Sequence, residues 1–480
     1  MFLNRNRTFW LLFAVIVTIA FPYLLISFLE GTSTGYNHLS GVDVRTSRKF
    51  RNVIVHIDLK GAPPRVEYLQ QVFELLSRQH VDGVLIEYED MFPYSGEIEN
   101  ITRMLHYSEA DVRRIIYAAE INGLEVIPLI QSFGHLEFVL KSPAFMHLSE
   151  DTIDYNTICI SDKKSIEIVQ QMILQIRKLH PNSTRIHIGA DEAYHVGEDH
   201  RCRNRMTEER IEKSQLKMNH IAQIGKFAKN AGFKTVFAWN DMFDKESEIA
   251  IRRAKIHEYI VPVIWGYRED VTEPGYFPDG LFDRIANIFD GFYVASAFKG
   301  ADGQRQQFSN ISRYLEVQRS YVKLMDLHQN AGEMVQGIFV TGWSRFNHFN
   351  ALCELLPVAI PSLIVDLFYL NYQFSATRSW EEMKKLLSCR TNKHKGGLMD
   401  LYDCQFPGSD AFEIVMNDWK QIVDRRIQGR HDSPQDNVIA VLEKLKKSLQ
   451  PILYQADIDE IYNQYLHDYH AIRIGTTVES

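Results

Sequence analysis

Residues 185–192 read RIHIGADE, a short apolar run that ends in two adjacent acids, Asp191 and Glu192. Two charges directly beyond a buried strand are costly unless they serve a purpose. Working outward, the same form recurs on both sides. NVIVHIDL (52–59), GVLIEYE (83–89) and EVIPLI (125–130) come before it, and TVFAW (235–239), YIVPVIW (259–265), GFYVASAF (291–298) and QGIFVTGW (336–343) come after it. Between these runs lie longer pieces such as VEYLQQVFELLSRQH and IEIVQQMILQIRKLH, with apolar residues at three- and four-residue spacing. Strand–helix alternation predicts parallel βαβ units, and eight in succession predict a closed (β/α)8 TIM barrel of the α/β class. An open doubly wound sheet is the alternative, but no Gly-x-Gly-x-x-Gly turn follows the first strand.

Catalytic residues of such a barrel stand at the C-terminal ends of the strands. Those ends carry Asp58 and Lys60; Glu87, Glu89 and Asp90; His135 after strand 3; Asp191 and Glu192; Trp239 and Asp241; Trp265 and Tyr267; Lys299 and Asp302; and Trp343 and Arg345. Indoles and acids around one mouth suit a carbohydrate, because sugar faces stack on rings and hydroxyls bond carboxylates. A buried acid there can protonate a glycosidic oxygen. His56 and His187 fall inside strand runs and read as core histidines. Neighbouring carboxylates raise one another's pKa, which keeps one of the pair protonated near neutral pH. Adjacent acids do not easily flank a sugar from opposite sides, so the usual pair of acid and nucleophile is not offered here. The spacing permits a substrate-assisted route, in which the sugar's own 2-acetamido oxygen attacks the anomeric carbon.

HIGADE (187–192) resembles the His-x-Gly-x-Asp-Glu motif of glycoside hydrolase family 20, the β-N-acetylhexosaminidases. HIDLKGAPP (56–64), LIEYEDMFPY (85–94), EVIPLIQSFGHLEFVLK (125–141), ASAFKGA (295–301), TGWSRFNHF (341–349) and LCELLP (352–357) resemble the family's hexosaminidase D-like subgroup. The resemblance implies Glu192 as general acid and then base, with Asp191 orienting the acetamido nitrogen. It implies Trp239, Trp265 and Trp343 as walls of the acetamido pocket, and His135 paired with an acid from strand 2, Glu89. Lys60 stands near the place of the lysosomal branch's sugar-holding arginine. Arg345 stands where that branch has a hydroxyl-binding glutamate. Tyr267 and Tyr293 are candidates for the tyrosine that bonds the acetamido oxygen, and Asp302 for a strand-7 aspartate. The implied activity is exo-cleavage of terminal β-linked GalNAc or GlcNAc from glycans with retention, with the subgroup leaning towards GalNAc. The alternative is a carbohydrate-binding barrel without turnover.

Outside the barrel, residues 8–29 form an apolar run without a charge, preceded by Arg5 and Arg7. A bilayer core needs about 20 such residues. Positive charge on the short side predicts a cytosolic tail at 1–7, a transmembrane signal anchor at 8–29, a stem at 30–50 and a lumenal catalytic domain at 51–370. A type II membrane protein with a Golgi address is the expectation. Sequons at Asn100, Asn182 and Asn310 agree with a lumenal glycoprotein. Residues 371–480 read as a C-terminal helical region, amphipathic over 411–427 and 437–472. The 5 cysteines are too few for a disulfide scaffold, although Cys389 and Cys404 are near enough in sequence to pair. The chain has 480 residues, 45% hydrophobic and 24% charged, with a formal net charge of −8. That composition excludes disorder, collagen and coiled coil and leaves no basic footprint for nucleic acid. No HExxH, CxxC or P-loop occurs, so no metal or other cofactor is expected. A metal-dependent barrel hydrolase needs several strand-end histidines, and His135 alone qualifies. The expected partners are N-acetylhexosamine-terminated glycans and a membrane, and a homodimer is compatible with the sequence.

Overall fold

Eight parallel strands close into a barrel in sequence order, β1 (Asn52–Asp58), β2 (Gly83–Glu87), β3 (Glu125–Leu129), β4 (Arg185–His187), β5 (Thr235–Trp239), β6 (Val261–Trp265), β7 (Phe292–Lys299) and β8 (Val335–Gly342). β1 pairs with β2 and with β8, which closes the sheet. The computed structural model describes residues 48–390, 401, 403–429 and 435–472. The expected tail, anchor and residues 30–47 of the stem lie outside the described residues. Among the described residues no helix is long and apolar enough to cross a membrane.

The barrel helices are α1 (Val66–Ser77), α2 (Glu109–Ile121), α3 (Lys163–Leu179), α4 (Lys213–Asn230), α5 (Glu248–Ala254), α6 (Leu281–Ile288), α7 (Ile311–Leu327) and α8 (Leu356–Tyr372). Each lays an apolar stripe on the sheet; α1 buries Leu69, Val72, Phe73 and Leu76. Their starts are set by polar caps. Ser108 and Asp111 form a capping box on α2, Asp162 caps α3 and Asn310 caps α7. α8 is buried nearly all round, because the C-terminal helices cover its outer face. The helices on that face are α9 (Ala376–Leu386) and the short helix Ser409–Glu413; α10 (Lys420–Ile427), α11 (Gln435–Leu449) and α12 (Gln455–Ala471) follow. The amphipathic run expected over 437–472 is broken at 450–454, where Pro451 cannot continue a helix. Cys389 and Cys404 form a disulfide, whereas Cys159, Cys202 and Cys353 are free and buried. Asn100, Asn182 and Asn310 are all exposed.

Inside the barrel, Ile54, Leu85, Ile127, Phe237, Val263, Tyr293 and Phe339 interdigitate as one core, topped by Trp239. His56 and His187 are core residues, as their place in the strands predicts. His56 bonds Glu87 at 3.0 Å, and Gln131 donates to the other oxygen of Glu87 at 2.9 Å. Glu87 is therefore locked beneath the mouth.

The fourth strand stops at His187 instead of running on to Asp191. Gly189, Ala190 and Glu192 have φ of 59°, 69° and 49°, in the left-handed region that side chains other than glycine rarely adopt. Adjacent residues on a regular strand point to opposite faces. The left-handed exit breaks that alternation and turns Asp191 and Glu192 towards the same partner. Glu89 and His135, at φ 45° and 52°, are strained in the same way at the ends of the two preceding strands.

Candidate active site

The strand ends surround a cavity of about 270 Å³ lined by Lys60, His135, Asp191, Glu192, the three tryptophans and Tyr267, with Gly300, Ala301, Arg345 and Phe346 at its rim. Trp239 and Trp343 meet at 5.9 Å between centroids, and Trp265 stacks on Tyr267 at 5.3 Å. Much of the lining is thus aromatic. The three expected indoles stand together, and Tyr267 is the tyrosine among them. Tyr293 sits low in the barrel, where its hydroxyl accepts from Arg185 at 3.3 Å.

The acids form the remaining wall. His135 Nε2 lies 3.1 Å from Glu192 Oε2 and 3.6 Å from Asp191 Oδ2. The other oxygen of Glu192 accepts from the Tyr194 hydroxyl at 2.8 Å. Burial alone would lower the His135 imidazole, but the Asp191 charge, the bond to Glu192 and the Glu137 charge push it up to about 9. Burial, with the Asp241 and Glu192 charges behind it, pushes Asp191 up to about 8 against the pull of His135. Burial would also raise Glu192, yet the bonds from His135 and Tyr194 hold it below the ordinary carboxylate value. Of the two acids, Asp191 is the one whose proton affinity the site raises.

The expected pairing of His135 with Glu89 is not the one formed. Glu89 turns away into a buried cluster, 3.2 Å from Lys60 Nζ and 2.5 Å from His348 Nε2. Burial would lower the Lys60 ammonium, but Glu89, Asp58 and Glu87 hold it well above its ordinary value. Lys60 therefore reaches the cavity as a permanent cation already neutralised from behind.

Several other expected sugar contacts hold the site together from outside the cavity lining. Asp58 accepts from the backbone N–H of Lys60 and of Ser344, both at 2.8 Å, and so ties the end of β1 to the end of β8. Asp241 accepts from the Glu192 backbone N–H at 2.8 Å and from the Trp265 indole at 3.2 Å. Asp302 is bound to Arg313 at 2.9 Å. Each has its carboxylate taken up by protein donors. Arg345 does line the cavity, but its guanidinium is paired with Glu460 on α12.

Five buried polar atoms of cavity-lining residues find no hydrogen-bond partner among the described residues: Asp191 Oδ1, His135 Nδ1, Trp239 Nε1, Trp343 Nε1 and Arg345 Nε. Buried polar groups are nearly always satisfied, so one acceptor and several N–H groups left over at one cavity mark a site built for a polar ligand. Strand-end reading missed Tyr194, two residues beyond Glu192, His348 in the loop after β8, and Glu460 on α12, which is far from any strand. Tyr194 carried a local signal, since a phenol two positions from an acid in a tight turn can reach it; Glu460 carried none.

The catalytic domain of glycosyl hydrolase family 20 matches residues 84–352. The chain belongs to that family. Hexosaminidase D of Bos taurus is 37% identical over 318 residues, covering 65% of this chain and 90% of the bovine protein. Hexosaminidase D of Homo sapiens is 37% identical over 320 residues, covering 66% of this chain and 65% of the human protein. Among solved structures, a chitobiase of Flavobacterium johnsoniae superposes with a TM-score of 0.54 at 13% identity, over 88% of this chain and 68% of that one. At that identity the superposition speaks for the fold alone. This family 20 chain is a hexosaminidase D-like glycosidase.

Proposed function

We propose that the chain is an exo-β-N-acetylhexosaminidase that removes a terminal β-linked GalNAc or GlcNAc residue by a retaining, substrate-assisted mechanism. One observation carries this reading. Among the described residues the acids on the cavity wall are Asp191 and Glu192, and they face a single nitrogen of His135 at 3.6 and 3.1 Å. They cannot stand on opposite faces of a sugar, as a protein nucleophile and its acid partner must. The nucleophile then comes from the substrate. Glu192 protonates the glycosidic oxygen while the acetamido oxygen attacks C1 and expels the aglycone. Asp191 Oδ1 accepts the acetamido N–H and balances the positive charge of the oxazolinium. Water then attacks C1 as the Glu192 carboxylate takes its proton, and the second inversion restores the configuration.

Burial raises the proton affinity of Asp191, and the acids facing it raise that of His135, so the group holds on to a proton that the reaction needs on Glu192. His135 Nε2 is within hydrogen-bond reach of Glu192 Oε2 at 3.1 Å and so can deliver a proton to it, while Asp191 Oδ2 stands at 3.6 Å. A small aromatic cavity suits one N-acetyl sugar at a chain end.

The cellular address belongs to the same proposal. The uncharged run at 8–29 and the Cys389–Cys404 disulfide support a type II anchor and an oxidising lumen such as the Golgi. Protease protection in sealed microsomes, lost on adding detergent, tests that placement.

The activity test is release of nitrophenol from β-GalNAc, β-GlcNAc and 2-hydroxy β-glycosides. Both N-acetylated substrates, or one of them, should be cleaved and the 2-hydroxy compounds should not. Equal cleavage of the 2-hydroxy analogues rules out the neighbouring-group step. Glu192→Gln keeps the volume and removes the acid, so turnover should drop about 10²–10⁴-fold while thermal unfolding stays cooperative.

A further inference from the structure

Behind the β4 exit lies a second group of reactive side chains that takes no part in the sugar site. Glu150 and Cys159 come from the long excursion between β3 and α3, and Cys202 from the helix His200–Glu209 that follows the catalytic turn. All three are buried, and their donor atoms lie within 4.8 Å of one another. Cys159 Sγ and Cys202 Sγ are 3.7 Å apart, Glu150 Oε1 is 2.6 Å from Cys202 Sγ, and Asp199 Oδ1 is 3.9 Å from Cys159 Sγ.

From this cluster we propose a zinc site in which Cys159, Cys202 and Glu150 are ligands and a water completes the tetrahedron, since Asp199 Oδ1 is held by the Arg201 backbone N–H and Nε, both at 2.7 Å. Two thiolates on one tetrahedral zinc, each about 2.3 Å from the metal, lie about 3.8 Å from each other. The sulfur separation found here matches that spacing and is far from the roughly 2.05 Å of a cystine. Glu150 Oε1 stands 2.6 Å from Cys202 Sγ, close enough to share an ion with it. The other oxygen of Glu150 accepts from the backbone N–H of Gly197 at 3.1 Å and of Asp199 at 3.0 Å. Those two bonds aim the free oxygen at the sulfurs, the kind of outer support that metal-binding carboxylates have. The donor mixture of two soft sulfurs and hard oxygens suits Zn²⁺ over Ca²⁺ or Mg²⁺. Binding displaces one proton from each thiol to solvent and leaves two thiolates on the metal.

The sequence hides the site because its ligands come from two separated stretches with none of the usual spacings. Its effect is mechanical. The ion pins the β3–α3 excursion to residues 193–202, the segment that carries Tyr194 against Glu192.

The decisive measurement is the metal content of the purified full chain by mass spectrometry after dialysis into metal-free buffer. About one zinc per chain is expected, released when the thiols are titrated with a mercurial. Cys202→Ser and Glu150→Gln should lose most of that zinc, and Cys353→Ser, away from the cluster, should keep it. A zinc-free wild-type chain that does not take up added ZnCl₂ overturns the proposal, whether peptide mapping then finds Cys159 joined to Cys202 or both as free thiols. The wild-type result stands alone if Cys202→Ser does not fold. Because the readout is metal and not hydrolysis, it is independent of the proposed glycosidase mechanism.

Discussion

Asp191 is a carboxyl that pays for its position in proton affinity. In the unfolded chain it titrates near 3.8, and in the folded site near 8. Between those values the native state holds a proton that the unfolded state has lost, so this group makes stability fall as pH rises across that window. His135, raised to about 9, acts in the same direction between about 6.5 and 9: its contribution is complete below 6.5 and gone above 9. Asp191→Asn removes the larger of the two effects. The variant should be inactive, yet its melting temperature should fall less steeply than that of the wild type from pH 4 to pH 8, as followed by differential scanning calorimetry. An unchanged slope would mean that Asp191 is ionised in the native site. The identity of these residues is legible in the sequence, because two charges beyond a buried run demand an explanation. Their division of labour is not, since it depends on which oxygen meets His135, and a strand-end tally cannot see that Glu89 is drawn off by Lys60 and His348.

At the scale of elements, all eight strands are legible, since each is a short β-branched run bounded by helical periodicity. Their ends are not. β4 looks like a seven-residue strand because Ile188 and Ala190 continue the apolar pattern, but the chain turns left-handed at Gly189 and Ala190. The turn is held from the side by the loop after β3. Gly134 lies so close that an added Cβ would stand 2.0 Å from the Asp191 carbonyl oxygen and 3.0 Å from the Ala193 nitrogen. Backbone cannot yield as a flexible side chain does. Gly134→Ala should therefore push His135 away from the two acids. The expected cost is about 1–3 kcal/mol in thermal stability and a fall in kcat with a smaller change in KM, measured on an N-acetylated aryl glycoside. Wild-type turnover in this variant would show that the two loops are not in register by contact.

The C-terminal region is where the molecule as a whole reaches back to its site. Helical periodicity announces α11 and α12, but nothing local says that they cap the barrel mouth. α12 delivers Glu460 to Arg345 on the cavity wall, Asp457 to Arg103 at 2.7 Å, and Gln464 to the backbone of Leu352 at 2.8 and 2.9 Å. Glu460→Gln frees the Arg345 guanidinium without changing the volume of its partner. The KM for an N-acetylated aryl glycoside should rise a few-fold with kcat nearly constant, because Arg345 touches neither acid. Removing the region is a different matter. Leu442, Leu445, Leu449, Ile452, Leu453, Ile458, Ile461 and Tyr465 are all buried in the core shared with the barrel. At about 1.5–3 kcal/mol for each buried side chain, their loss is about 12–24 kcal/mol, as large as the 5–15 kcal/mol that a domain has to spare. A chain ending at Ile427 should therefore give no cooperative melt and no soluble activity, and a folded, active product of that length would show that the barrel is complete without its cap.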